Sequence, residues 1–260
     1  MNQTDLNEYY PEVATAAVDI CGLKYLVNRS DECKSAMKAI ELLVKNVFLQ
    51  KGVYKEVPPK GKPDLFLYDF ETYFGDSVYL FADPNLDIVT QLDRLTISCA
   101  SILATGFQSG FMVRVGISVG DLCRKVIDLG GGNKRDLRIG TCMIRSHQLQ
   151  ECQRWVGGAV QTQFPTKDYY RFEYDVPIKK DSEYEGHILQ SINWVCLLKK
   201  ITTIKTNKKT YQNKNEIIDQ VSKVISEVTG ASSKEIAIRL ENTIKFIDYV
   251  FNNDYFINFE

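Results

Sequence analysis

The first half of the chain alternates between segments with strand-like and helix-like hydrophobic patterns. Residues 13–20 are small and β-branched, which predicts a central strand. Residues 32–50 carry apolar side chains at helical spacing and predict a helix. Residues 64–72 and 77–82 predict the two strands of a hairpin joined by a tight turn. The predicted order at this end is therefore strand, helix, strand, strand.

The second half continues the alternation and leads to a prediction for the fold class. The pattern predicts further helices at 86–105 and 141–155, and strands at 112–119, 169–178 and 187–198. A glycine-rich stretch at 130–133 is predicted to be a loop, because no helix of the phosphate-binding type follows it. The sequence therefore predicts an α/β (α+β) protein whose mixed sheet is covered on one face by helices.

The composition shifts near residue 199, where lysine, threonine and asparagine become frequent in a segment that is either an edge hairpin or a linker. A lysine run is usually a solvated surface, so we do not assign nucleic-acid binding to it. Helices are predicted at 214–229 and 233–251. Aromatic side chains crowd the end of the chain and should pack on the domain or on another subunit: Phe246, Tyr249, Phe251, Tyr255, Phe256 and Phe259. We therefore divide the chain into a domain over residues 1–200 and a linker with a helical extension over residues 201–260.

Composition and charge narrow the class of protein further. The chain has 260 residues, 44% of them apolar and 25% charged, and its net charge of −1 gives no general attraction to nucleic acid or to anionic membranes. No apolar run approaches the roughly 20 residues that span a bilayer, and the first residues do not resemble a signal peptide. The seven cysteines are scattered without C-x-x-C spacing, and only two histidines are present. We therefore expect a cytoplasmic protein with reduced thiols and no His-rich metal site.

Two carboxylates lie at the edges of predicted core strands. Asp19 follows an apolar stretch, and Asp76 lies in the tight turn of the predicted hairpin. A charge beside a core strand is costly to desolvate unless a cation or hydrogen-bond donors compensate it. If the two strands are neighbours, the two carboxylates form a site for Mg²⁺ or Mn²⁺ that carries a substrate triphosphate. Alternatively, Asp19 caps the following helix and Asp76 is an ordinary hairpin residue.

A family resemblance rests on three motifs in order. The segment Val18-Asp19-Ile20-x-Gly22, the turn Gly75-Asp76 and the segment Arg114-Val115-Gly116-Ile117-x-x-Gly120 resemble the class III nucleotidyl cyclases. The resemblance covers roughly residues 13–195 and implies a βααββαβ core that works as a head-to-tail dimer with composite active sites. Within that family, the single-domain form and the unusual base region resemble the bacterial pyrimidine cyclases of the Pycsar anti-phage systems.

The resemblance implies specific roles for residues near the two aspartates. Asp19, Asp76 and the Ile20 carbonyl match the family's protein ligands for two divalent ions. The Cys21-Gly22-Leu23 backbone would offer amide donors to the substrate phosphates. Without metal, the two carboxylates should repel each other, so replacing one of them should leave stability unchanged or slightly higher.

Two further positions match phosphate-binding groups of the family. Arg114 matches the arginine associated with the triphosphate, although it could also be a surface strand residue with an ion-pair partner. Lys179 lies where the family often carries a phosphate-binding lysine, and its neighbour Lys180 fits equally well.

The departures from the family concern the base and the transition state. Purine cyclases place Lys or Glu four residues before the second metal aspartate, where this chain has Thr72 followed by Tyr73. This favours a smaller base, unless Tyr73 is simply a strand residue. The family's Asn-x-x-x-Arg pair falls on Ile144 and Gln148, so both groups are missing. Two arginines flank Gly140 and are candidates for the missing positive charge. We assign Arg138 to substrate binding and Arg145 to catalysis.

The function expected from this resemblance is conversion of UTP or CTP to the 3′,5′-cyclic monophosphate and pyrophosphate. The expected partners are a nucleoside triphosphate, two Mn²⁺ or Mg²⁺ ions per site, and a second copy of the chain. A separate effector protein would read the product in anti-phage defence. The alternatives are a purine cyclase with an atypical base site and a catalytically inactive nucleotide sensor with the cyclase fold.

Overall fold

The structure is a computed structural model that describes residues 7–23, 32–53, 70–74, 77–163, 170–199, 211, 213–229 and 234–255. The elements in its first half are β1 (Asn7–Ile20), α1 (Glu32–Val53), β2 (Phe70–Phe74), β3 (Ser77–Phe81), α2 (Ile88–Gln108) and β4 (Val113–Asp128). The second half contains β5 (Lys134–Ile139), α3 (Thr141–Cys152), β6 (Gly158–Gln161), β7 (Arg171–Glu173), β8 (Leu189–Ile192), a 3₁₀ helix (Val195–Lys199), α4 (Lys214–Thr229) and α5 (Lys234–Asn252). Gly75 and Asp76 lie outside the described residues.

The eight described strands form one sheet with β1 and β4 at its centre. Its order is β2-β3-β1-β4-β6-β8-β7, and β5 pairs with the outer half of β4. The pairing of β4 with β6 is parallel, and the other described pairings are antiparallel. The small and β-branched residues of β1 suit this position, because both faces of a central strand are covered. The prediction of a mixed α/β sheet is confirmed.

Helices pack on both faces of the sheet, so the prediction of one covered face is wrong. A Cβ atom on Gly106 of α2 would lie 2.9 Å from Cγ2 of Val113, whereas one on Gly116 would lie 2.6 Å from the backbone nitrogen of Gln150 in α3. Val113 and Gly116 point to opposite faces of β4, because side chains alternate along a strand. Helix α3 can lie directly on the second face because glycine at 116 and 120 leaves no side chain in its way.

The bounds of several strands differ from the predicted ones, and each difference has a physical reason. The β4–β5 arm projects beyond the core, and the consecutive charged residues Lys134, Arg135 and Asp136 hide its strand pattern. The predicted strand at 187–198 ends at Ile192 and is followed by the 3₁₀ helix. A short, fully buried apolar run has the same hydrophobic pattern in either conformation, so periodicity could not separate the two.

The C-terminal aromatic residues pack on the domain of their own chain. Phe246 of α5 meets the Trp155 ring edge-on at 4.6 Å, and Tyr255 stacks on Phe172 at 4.3 Å. This is one of the two arrangements expected from the sequence, while Phe256 and Phe259 lie outside the described residues. The division of the chain near residue 200 stays a prediction. None of the described helices is long and apolar enough to cross a membrane.

Candidate active site

Asp19 lies at the end of β1 in the middle of the sheet. Its partner in register is Arg114 on β4, and its partner on the other side is Ser77, the first residue of β3. Its side chain shares the sheet face of Gly116, on which α3 packs. Asp76 directly precedes Ser77 in the sequence, but Asp76 itself is outside the described residues. The strands β1 and β3 are neighbours in the sheet, which is the condition that a shared site of Asp19 and Asp76 requires.

Two side chains hold the Asp19 carboxylate. Arg114 donates from Nη2 to Asp19 Oδ2 at 2.8 Å, and Gln150 donates from Nε2 to the same oxygen at 3.1 Å. The side chains of Asp19 and Arg114 are only 15% and 12% exposed, so this is a largely buried ion pair. The cost of placing a carboxylate beside a core strand is therefore offset by a cation and a second donor.

Gln150 was not predicted, although the sequence contains a signal for it. Ser146 and Gln150 on the buried face of α3, and Gln153 directly after its last residue, recur at helical spacing in the sequence. A polar stripe on a buried helix face needs hydrogen-bond partners. Gln153 finds one in the carbonyl oxygen of Val115, at 2.7 Å, so this stripe fixes α3 to both central strands.

The electrostatic environment keeps the Arg114 guanidinium charged. Burial acts to lower the pKa of Arg114, but its Cys21 and Asp19 neighbours act to raise it, and the net shift is upward. Burial raises the pKa of the Cys21 thiol, and the Arg114 charge opposes that rise only in part. At neutral pH the site therefore contains a charged guanidinium and a protonated thiol.

The backbone after β1 is partly used within the fold. The Cys21 amide donates to the Met112 carbonyl at 2.8 Å, so it continues the sheet and does not face a phosphate. Gly22 adopts a φ of 80°, a conformation that favours glycine, and Leu23 is buried. The predicted phosphate contacts of Gly22 and Leu23 stay predictions.

The donor chemistry of this site suits a hard divalent cation. The Asp19 carboxylate and the Ile20 carbonyl supply oxygen, the ligand that Mg²⁺ and Mn²⁺ prefer. Within the described part of the chain, no group of three or more His, Cys, Asp or Glu side chains is close enough to hold a metal. Asp76 as the second carboxylate of a two-ion site stays a prediction.

Lys179 lies at the same end of α3 as Gln150. Its backbone nitrogen donates to the Cys152 carbonyl at 2.8 Å, and Ile178 forms a β-bridge with Gln153. The exposed side chains of Lys179 and Lys180 therefore start near the Asp19 end of the sheet. This position is compatible with either lysine as a phosphate-binding group.

Arg138 and Arg145, the two other predicted arginines, both lie away from Asp19 in the fold. Arg138 pairs in register with Arg124, ten residues beyond Arg114 along β4, which corresponds to about 33 Å. Its guanidinium lies 5.3 Å from the centre of the Phe81 ring and 3.3 Å from Asp136. One copy of the chain therefore does not bring Arg138 to Asp19.

Arg145 is exposed on α3 and lies between these two regions. Its Nη1 donates to the carbonyl of Val119 at 3.1 Å, five residues from Arg114 and thus about 17 Å along the strand. Arg145 also lines a cavity of about 700 Å³ that is open to solvent. Ile144 and Gln148, which occupy the positions of the family's Asn and Arg, are exposed on the same helix.

The predicted base-recognition residues lie on the edge strand β2. In the backbone register, Thr72 pairs with Tyr79 and Tyr73 pairs with Val78. The side chains of Thr72 and Tyr73 are outside the described residues, so their predicted roles stay predictions.

Comparison with known proteins supports the fold assignment. No protein-family model matches the sequence, and no curated protein matches it. Among solved structures, a bacterial light-regulated adenylyl cyclase aligns at 10% identity with a TM-score of 0.55, over 86% of this chain and 59% of that one. The chain thus spans about three fifths of that relative.

Two fungal structures align over nearly their whole length. The guanylate cyclase domain of RhGC from Catenaria anguillulae, in complex with GTP, is 12% identical with a TM-score of 0.51, over 71% of this chain and 96% of that one. A dimeric guanylyl cyclase domain of the RhoGC fusion protein from Blastocladiella emersonii is 14% identical with a TM-score of 0.50, over the same shares of both chains. The chain therefore has the fold of the class III adenylyl and guanylyl cyclases, as the sequence predicted.

Proposed function

We propose that this protein is a nucleotidyl cyclase that converts UTP or CTP into the 3′,5′-cyclic monophosphate and pyrophosphate. The observation that carries the proposal is the Asp19 carboxylate, which Arg114 and Gln150 hold at the centre of a cyclase-like sheet. A largely buried, oriented carboxylate next to the start of β3 is the arrangement that a metal-dependent cyclase needs.

The chemistry assigns a task to each group. Attack of the ribose 3′-oxygen on the α-phosphorus forms one P–O bond and breaks the bond to pyrophosphate. Asp19, the Ile20 carbonyl and Asp76 would hold divalent ions, which supply the positive charge that lowers the pKa of the 3′-hydroxyl. Arg114 fixes the orientation of Asp19, and Lys179 would offset negative charge on the phosphates.

The direct test is to incubate the purified protein with each of the four ribonucleoside triphosphates and Mn²⁺ and to identify the products by mass spectrometry. Cyclic UMP or cyclic CMP is the expected product. Formation of cyclic AMP or cyclic GMP instead would support the purine alternative. Nucleotide binding without any cyclic product would support a sensor.

We further propose, from the sequence resemblance, that an effector protein reads the product in anti-phage defence.

Replacing Tyr73 with alanine should relax the choice of base. If the phenol narrows the pocket, its removal admits some ATP or GTP and lowers turnover of UTP or CTP by about 10-fold through lost packing. The measurement is kcat/KM for all four nucleotides. Tyr79→Phe on the neighbouring strand is a suitable control, because it keeps the ring. Wild-type turnover of ATP equal to that of UTP would contradict the pocket argument.

We expect an active homodimer, because one chain separates Asp19 from Arg138 and Arg145. The start of β1, the β4–β5 arm and α3 expose apolar side chains that a second copy could cover: Tyr9, Leu137, Ile139 and Ile144. Heterodimers of one Asp19→Ala subunit and one Arg145→Ala subunit contain one intact and one doubly defective site. They should show about half of the wild-type rate, whereas each homodimeric variant is inactive.

The heterodimers can be isolated by co-expression with two different affinity tags. The control is a heterodimer of one wild-type subunit and one subunit that carries both Asp19→Ala and Arg145→Ala. In this heterodimer each of the two composite sites carries one of the substitutions. An active preparation with a monomeric mass at micromolar concentration would rule out the composite site.

A further inference from the structure

The C-terminal helix α5 is fixed to the segment that follows α3. Asn242 donates from Nδ2 to the Arg154 carbonyl at 2.9 Å, and the Val156 amide donates to Thr243 Oγ1 at 3.0 Å. Trp155, between these two contacts, is fully buried against Phe246. Residues 154–156 and the first half of α5 therefore form one rigid unit.

Two arginines in this unit share one carboxylate. Arg154 donates from Nη2 to Glu235 Oε2 at 2.9 Å, and Arg239 donates from Nε to Glu235 Oε1 at 3.4 Å. Burial acts to raise the pKa of Glu235, but Arg154 and Arg239 together lower it by more than burial raises it. The net shift is downward, so the carboxylate stays ionised. Two guanidinium charges against one carboxylate leave this trio with one net positive charge.

The trio retains capacity to bind an anion. The side chains of Arg154 and Arg239 are 30% and 23% exposed. The Nε of Arg154 is buried and makes no hydrogen bond to any described residue. A guanidinium binds phosphate oxygens through paired donors, and two guanidiniums side by side suit a ligand with more than one phosphate.

The trio lies at the Asp19 end of the sheet. Gln153, directly before Arg154, donates to the carbonyl of Val115, the residue next to Arg114. Arg154 is thus tied to the central strands through its neighbour Gln153, and Glu235 ties Arg239 to Arg154.

A predicted phosphate-binding lysine also starts beside the trio. The Arg154 amide donates to the Pro177 carbonyl at 2.7 Å, and the Lys179 amide donates to the Cys152 carbonyl at 2.8 Å. Arg154 and Lys179 are therefore on adjacent backbone segments. Three cationic residues from three separate parts of the sequence therefore lie near one end of the sheet.

We propose that Arg154 and Arg239 bind the β- and γ-phosphates of the nucleotide and also bind the pyrophosphate product. Glu235 is the counter-ion of the two arginines, and the polyphosphate competes with its carboxylate for the guanidiniums. The identity of the ligand as a nucleotide rests on the proposed function, whereas inorganic pyrophosphate tests the site directly. In this arrangement α5 is part of the substrate site, because it contributes Arg239.

The test is calorimetric titration of the full-length protein with inorganic pyrophosphate in the presence of EDTA, which removes any contribution from bound metal. Arg239→Ala should weaken binding about 10-fold, because one of two guanidiniums is lost. Glu235→Gln should tighten binding about threefold, since the competing carboxylate is removed while the side-chain shape is kept. Opposite effects of the two substitutions distinguish anion binding from a purely structural ion pair.

The matched controls lie on the same helix. Glu241 and Lys245 form an exposed ion pair with the same four-residue spacing. Glu241→Gln and Lys245→Ala should each change pyrophosphate affinity by less than about twofold. Thermal unfolding of every variant checks that the fold is kept.

The outcomes separate this inference from the proposed function. Absence of pyrophosphate binding by the wild type would overturn the inference, as would weaker binding in both Arg239→Ala and Glu235→Gln. Cyclase activity that persists with an unchanged KM in Arg239→Ala would also overturn it and leave the proposed function standing. Opposite shifts in a protein that makes no cyclic nucleotide would support the anion site and refute the cyclase.

Discussion

Replacing Asp19 with alanine is expected to lower nucleotide cyclisation by about 10³-fold or more. The carboxylate is the described metal-ligand candidate of the site, and its orientation is fixed by Arg114 and Gln150. Arg114 cannot replace it, because a guanidinium does not bind a cation, and Gln150 offers only a neutral amide oxygen without the charge of a carboxylate. The measurement is the initial rate with UTP and CTP at saturating Mn²⁺.

The same substitution should also destabilise the protein by about 2 kcal/mol. The sequence alone predicts unchanged or slightly higher stability, because two carboxylates repel each other. The structure reverses the expected sign: loss of Asp19 leaves the largely buried Arg114 without its counter-ion. Urea unfolding in the absence of metal measures this difference, and the double variant Asp19→Ala/Arg114→Leu should recover part of the loss.

Two controls separate chemistry from stability. Asp128→Ala removes an exposed carboxylate that bonds only to the nearby Gly130 amide among the described residues, and it should leave the rate unchanged within about twofold. Asp19→Asn keeps the shape of the side chain but not its charge, so it should be nearly as inactive as the alanine variant. A rate within about 10-fold of the wild type in purified Asp19→Ala would refute the role of this residue.

The hydrophobic pattern was sufficient for elements whose faces differ in polarity. Helix α4 has the predicted bounds, 214–229, and β3 ends one residue earlier than predicted. The pattern failed where burial does not follow polarity. In β5 the charged side chains of Asp136 and Arg138 are largely buried while Leu137 and Ile139 are exposed, and the segment 195–198 is buried on all sides.

Only those residues of the candidate site could be predicted whose role follows from the order of the strands and from a local charge. Asp19 was identified because a carboxylate beside a core strand needs compensation, and the structure supplies it through Arg114. The polar stripe of α3 indicates that Gln150 needs a hydrogen-bond partner, but the identity of that partner depends on which sheet face α3 covers, and no local pattern contains that information. Arg138 and Arg145 are near neighbours of Gly140 in sequence, but distance along a strand and a helix separates both from Asp19.

Gly116→Ala is expected to destabilise the protein by about 3 kcal/mol, a large effect for one methyl group. A Cβ at this position would lie 2.6 Å from the backbone nitrogen of Gln150 and closer still to the carbonyl oxygen of Ser146. These are helix backbone atoms, so they cannot move aside as a flexible side chain does. Helix α3 must shift as a whole, which strains the contacts of Gln153 and Gln150 with the central strands.

Gly106→Ala is the matched control for this substitution on the opposite face of the sheet. Its Cβ would meet Cγ2 of Val113 at 2.9 Å, a side-chain atom that can rotate, and alanine favours the helix by about 1 kcal/mol. We expect a loss of at most about 1 kcal/mol for Gly106→Ala by urea unfolding, against about 3 kcal/mol for Gly116→Ala. Because the shift of α3 also removes the Gln150 hydrogen bond from Asp19, the folded fraction of Gly116→Ala should have a lower kcat than the wild type. Equal stability of the two variants would show that α3 does not depend on the glycine surface of β4.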